Sequence, residues 1–89
     1  MNKQQILAGL LDIGIVPVVR TPTAESAIKS IEAIYRGGIR CAEITMTVPG
    51  AIQALEKIAD SLGDKIILGA GTVLDPETAR ACMLAGAQF

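Results

Sequence analysis

The sequence contains no histidine and no tryptophan, and its only aromatic residues are Tyr35 and Phe89. Without histidine, these residues cannot build a histidine-based catalytic triad or the commonest zinc sites. Positive charge is not in excess either. Eight Lys and Arg against nine Asp and Glu leave a net charge of −1, whereas a nucleic-acid interface needs a clustered basic face. No apolar run approaches the roughly 18–20 residues of a membrane span. Residues 1–20 lack the charged start, long apolar stretch and small-residue cleavage site of a secretory leader. Cys41 and Cys82 follow neither a metal-ligand nor a disulfide-framework spacing, so a cytoplasmic protein is expected.

Aliphatic residues are abundant, and they bring the hydrophobic share to 51%. A chain of this length can close one small core, and a compact Ala-rich α/β domain is the plainest reading of the composition. So large an excess of Ile, Val, Leu and Ala also suggests a surface meant to be covered by further chain or by a partner subunit.

A repeat of pattern organises the chain. Gly14, Gly38, Gly63 and Gly86, spaced 24, 25 and 23 residues apart, each mark the end of a helix and the approach of a strand. Short apolar runs follow the first three: Ile15–Val19, Cys41–Met46 and Ile66–Ala70. Such runs read as strands buried on both faces. Each run leads into a helix start. Thr23 is placed to cap a helix whose apolar positions are Ala24, Ala27, Ile28, Ile31, Ile34 and Tyr35. Pro49 opens a second helix carrying Ile52, Leu55, Ile58, Ala59 and Leu62. Asp75, Pro76 and Glu77 supply cap, first-turn proline and first-turn acid for a third. Asn2 is placed to cap a leading helix with Ile6, Leu7, Leu10 and Leu11, and Gln88-Phe89 reads as the start of a fourth strand.

Strands alternating with helices at this spacing make right-handed βαβ units and a parallel sheet. Eight repeats would take roughly 200 residues, within the range of a (β/α)8 TIM barrel. The main structural rival is a doubly wound open sheet. Its dinucleotide-binding form wants glycines after the first strand, where Val19-Arg20-Thr21-Pro22-Thr23 has none. On either architecture residues 1–89 read as an N-terminal portion, incomplete at the C-terminus, of a single domain.

Active sites of both architectures form at the C-terminal ends of the strands, and three polar features fall there. Glu43 interrupts an apolar strand. Period-two alternation puts it on one face with Cys41 and Thr45, and Ala42, Ile44 and Met46 on the other. If the second set packs on helices, Glu43 points into the barrel. A carboxylate buried there is costly unless it is paired or used for proton transfer; the alternative is a salt bridge to a neighbouring strand. Arg20 closes the first strand on the face of Val16 and Val18, suited to a carboxylate or phosphate, unless it is a solvated loop arginine. Gly69-Ala70-Gly71-Thr72 follows the third strand. Its glycines would admit a ligand close to the backbone and Thr72 could bond an anionic oxygen, although a plain tight turn is an equal reading.

The cysteines read as small packing residues rather than nucleophiles, because no cationic partner is placed to lower either thiol's pKa. Lys3, Lys29 and Lys57 fall in helices, and Lys65 falls at the start of the third strand, away from the active mouth. None is placed as an imine-forming nucleophile.

Four segments in this order and spacing resemble the start of the KDPG/KHG aldolases: Val16-Pro17-Val18-Val19-Arg20, Ala42 to Pro49, Gly69 to Leu74, and Ala85-Gly86-Ala87-Gln88-Phe89. The resemblance implies a homotrimer of barrels that cleaves a keto acid through a lysine–pyruvate imine, with no metal or organic cofactor. By the same resemblance Glu43 matches the strand-two glutamate that shuttles protons, and Thr72 matches the threonine that helps hold the pyruvate carboxylate. Some members carry an arginine four residues after the glutamate, where this chain has Thr47. Thr47 therefore stands as a candidate substrate-binding residue beside Thr72, and Arg20 is expected to supply the positive charge from the neighbouring strand. The imine-forming lysine and the phosphate-binding loops of the family lie in later strands, so residues 1–89 alone are expected to be inactive. A sugar-phosphate epimerase barrel and a non-catalytic, self-associating half-barrel are the competing readings. The Glu43-Ile44-Thr45-Met46-Thr47-Val48-Pro49 segment favours the aldolase.

Overall fold

The computed structural model describes residues 1–89. Four helices, α1 (Lys3–Ile13), α2 (Ala24–Arg36), α3 (Ala51–Leu62) and α4 (Pro76–Ala85), alternate with three strands, β1 (Val18–Val19), β2 (Cys41–Thr45) and β3 (Ile67–Gly71). The strands form one sheet in the order β1-β2-β3, parallel throughout, so the repeat and the α/β class follow the sequence pattern.

Local chemistry fixes most helix ends where the sequence places them. Asn2 accepts from the Gln5 amide in a reciprocal capping box, Thr23 accepts from Ser26, and Asp75 accepts from Thr78 with Pro76 behind it. Helix α3 departs from this pattern. Pro49 lies in the preceding turn rather than at the helix opening; Gly50, at φ 71°, is the N-cap and offers no side-chain bond. The chain must turn through a left-handed residue after β2, which proline cannot adopt and glycine can.

Helices α2, α3 and α4 pack on one face of the sheet. Val19, Ala42, Ile44 and Leu68 from the strands meet Ile31 of α2, Leu55 and Ile58 of α3, and Cys82 of α4 in a single core. Helix α1 is different, with no buried residue of its own. It lies against Ile67 on the opposite face, approaching closely at Gly9, where an added Cβ would stand 2.6 Å from the Ile67 side chain. Its own Leu7 and Leu11 remain exposed.

Two strands are shorter than the apolar runs suggest. Strand β1 covers only Val18–Val19 of the Ile15–Val19 run, because Pro17 has no amide hydrogen to give to a ladder. The Pro17 carbonyl still accepts from the Glu43 amide at 2.9 Å. Strand β2 ends at Thr45, although the Met46 amide continues to the Gly71 carbonyl at 2.9 Å. Past α4, the Gln88 amide donates to the Leu68 carbonyl and the Ala70 amide to the Phe89 carbonyl. The chain thus begins to run alongside β3 where a fourth strand is expected.

Candidate active site

The alternation in β2 is realised as the sequence implies. Ala42 and Ile44 sit wholly inside the helix-packed core, with Met46 against it, while Glu43 emerges on the opposite face. Register places Glu43 between Val18 of β1 and Gly69 of β3. It is half-buried, and its carboxylate lies directly over Gly71, in the space an alanine side chain would need there. The only ion pair is the exposed Lys29–Glu25. The salt-bridged alternative for Glu43 is therefore not formed within residues 1–89.

The other expected groups gather around this end of the sheet. Arg20 follows Val19 directly and is exposed, with no carboxylate partner. Thr45 is buried, and its hydroxyl is 2.7 Å from that of Thr47, which is exposed. Thr72 immediately follows β3 and is also exposed. It is the one non-glycine residue with positive φ, at 55°. A β-branched residue seldom adopts this conformation, and such strain collects at functional sites. Nothing in the sequence marks Thr72 as strained. Thr45 is the residue that sequence reasoning left out of the site, although its place two residues from Glu43 puts it on the same face.

The glycines of Gly69-Ala70-Gly71 make room within the chain itself. Neither has a left-handed φ. A Cβ on Gly69 would overlap the Phe89 ring, and one on Gly71 would overlap the Glu43 carboxylate. Each glycine admits one identified neighbour.

The cysteines take no part. Cys41 is fully buried and donates to the Ile15 carbonyl at 3.0 Å, and burial raises its pKa. Cys82 is buried with its Sγ 3.5 Å from Met46 Sδ; burial, and secondarily the charge of Asp75, raises its pKa. Raised thiol pKa values oppose nucleophilic chemistry. Three lysines lie in the helices α1, α2 and α3, and Lys65 closes a 3₁₀ turn (Gly63–Lys65) before β3, at the sheet end remote from Thr72. The apolar groove of about 680 Å³ between α1 and Phe89 is bounded by Ile6, Leu7, Leu10 and Met83; it holds no carboxylate and lies outside the polar cluster. No helix is long and apolar enough to cross a membrane.

The chain is similar to known proteins over most of its length. The family model described as KDPG and KHG aldolase matches residues 6–89. The chain is 39% identical over 84 residues to the 2-dehydro-3-deoxy-phosphogluconate aldolase of Treponema pallidum, covering 94% of this chain and 40% of that protein. It is 37% identical over 75 residues to the KHG/KDPG aldolase of Escherichia coli K12, covering 84% and 35%. Among solved structures, it superposes with a TM-score of 0.75 and 38% identity on the KDPG aldolase of Legionella pneumophila, whose crystals captured pyruvate at low pH as a covalent carbinolamine intermediate. That match covers 83% of this chain and 35% of the other. The chain thus spans two-fifths or less of the length of these relatives.

Proposed function

The chain belongs to the KDPG and KHG aldolase family, and on that basis we propose that residues 1–89 are the leading helix and first three βα units of a (β/α)8 barrel. The complete protein is then a class I aldolase acting as a cytoplasmic homotrimer. Its substrate is a 2-keto-3-deoxy-6-phospho sugar acid or 4-hydroxy-2-oxoglutarate, cleaved to pyruvate plus glyceraldehyde 3-phosphate or glyoxylate.

In this reading a lysine on a later strand adds its amine to the substrate ketone. Glu43, as the carboxylic acid, gives its proton to the hydroxyl of the resulting carbinolamine, which leaves as water, and the iminium remains. The Glu43 carboxylate then takes the proton of the C4 hydroxyl, so that the C3–C4 electron pair moves into the iminium and the aldehyde is released. The enamine takes that proton back from Glu43 at C3, and hydrolysis returns pyruvate, the free amine and the protonated Glu43. Arg20 holds the keto-acid carboxylate by charge-assisted hydrogen bonds, with the Thr47 and Thr72 hydroxyls completing its surroundings. No metal or organic cofactor enters.

The observation that carries the reading is the position of Glu43: on the face away from α2, α3 and α4, over Gly71 at the end of β3, and without a cationic partner among residues 1–89. A carboxylate kept free in that place is available for proton transfer. Support also comes from the Legionella relative, which forms the carbinolamine the scheme requires. The test is pyruvate release by the full-length polypeptide from each of the two keto acids. Release from at least one is expected; release from neither contradicts the assignment.

A further inference from the structure

We infer that Gly71 is a positioning residue for Glu43: it lacks a side chain so that the Glu43 carboxylate can rest on the β3 backbone at one fixed height above the sheet. The inference builds on the proton-transfer role proposed for Glu43. Backbone conformation does not demand glycine at 71, because its φ lies outside the left-handed region. Space does. A Cβ built at Gly71 would overlap Oε1 and Cδ of Glu43 and stand 3.2 Å from its Cγ. The obstruction covers the outer half of the glutamate side chain, so an alanine would have to displace the reacting end.

The platform is held by the sheet. Gly71 is paired in register with Thr45, two residues from Glu43 on the same strand, and its carbonyl accepts from the Met46 amide at 2.9 Å. The chain then turns sharply through Thr72 at φ 55°. The floor beneath the carboxylate is thus tied to the strand that carries it. Glutamate has three side-chain torsions and no hydrogen-bond partner here, so without such a seat its reacting oxygen would be poorly placed. A misplacement of about 1 Å can cost about 10²-fold in rate.

The test is a double-mutant cycle in the full-length polypeptide, using Gly71→Ala and Glu43→Ala, read by kcat, KM, the pH profile of kcat and thermal midpoint. Gly71→Ala alone should lower kcat by about 10- to 100-fold, with KM nearly unchanged and the pH profile displaced. In the Glu43→Ala background the same substitution should change neither kcat nor the thermal midpoint, since the new methyl enters vacated space. If Gly71→Ala alone fails to fold, the double variant should fold. Equal losses in both backgrounds, an unfolded double variant, or an unaltered kcat and pH profile for Gly71→Ala would each overturn the inference. Full activity of Glu43→Ala would instead remove the role proposed for Glu43, and the thermal midpoints would still report whether Gly71 seats it.

Discussion

The carboxylate of Glu43 occupies the space in which a side chain on Gly71 would stand. The two residues belong to adjacent parallel strands, with Gly71 paired to Thr45 and Glu43 to Gly69. The glutamate therefore leans toward the C-terminal end of β3 rather than directly across to its register partner. That direction brings the acid toward Thr72 and the strand ends, where parallel α/β sheets assemble their ligand sites.

Replacing Glu43 by Gln in the full-length polypeptide should reduce turnover by about 10²-fold or more, the scale of losing a general acid–base group. The amide has nearly the same shape and still fits over Gly71, so the thermal midpoint should hold. Steady-state kinetics beside a melting curve makes the comparison. Turnover within a few-fold of the parent would make Glu43 a structural residue.

Arg20 is exposed and unpaired within residues 1–89, so its truncation to alanine should leave folding intact. Loss of a charge-assisted contact to a bound carboxylate costs about 1.5–3 kcal/mol. The KM for the keto acid should therefore rise by about tenfold or more. An unchanged KM with a fallen thermal midpoint would place Arg20 in the scaffold.

Asp75 caps α4 through the Thr78 amide and hydroxyl, and the backbone bond chiefly, then the side-chain bond, holds its pKa below the ordinary aspartate value. A folded-state pKa below the unfolded one stabilises the fold fully above the unfolded value. The contribution is lost as pH falls through the lowered folded value. Thermal midpoints taken across the acid range should show this decline in the parent. Asp75→Asn, which retains a capping oxygen without the titration, should remove that component of it. An identical acid profile in the two proteins would contradict the linkage.

The period of glycines, the capping residues and the two faces of β2 were legible because each depends on a few neighbouring residues. Asn2, Thr23 and Asp75 cap helices by contacts within three residues, and alternation alone separates Glu43 from Ile44. Other features depend on turn geometry or on residues distant in the chain. Strand β1 is short because Pro17 interrupts its ladder, and α3 starts at Ala51 because the turn after β2 needs Gly50 in a left-handed conformation. The roles of Gly69 and Gly71 depend on Phe89 and Glu43, which lie 20 and 28 residues away and meet them only through β3's pairing. Strain at Thr72 is a property of the turn that follows β3 and leaves no mark in composition.

Borohydride trapping with pyruvate tests the aldolase assignment most directly, because reduction of a lysine–pyruvate imine fixes the intermediate as a stable mass increment on one residue. The full-length polypeptide should gain one adduct per chain, on a lysine outside residues 1–89, while a polypeptide of residues 1–89 alone should gain none. An unmodified full-length polypeptide, or an adduct on Lys3, Lys29, Lys57 or Lys65, would contradict the account.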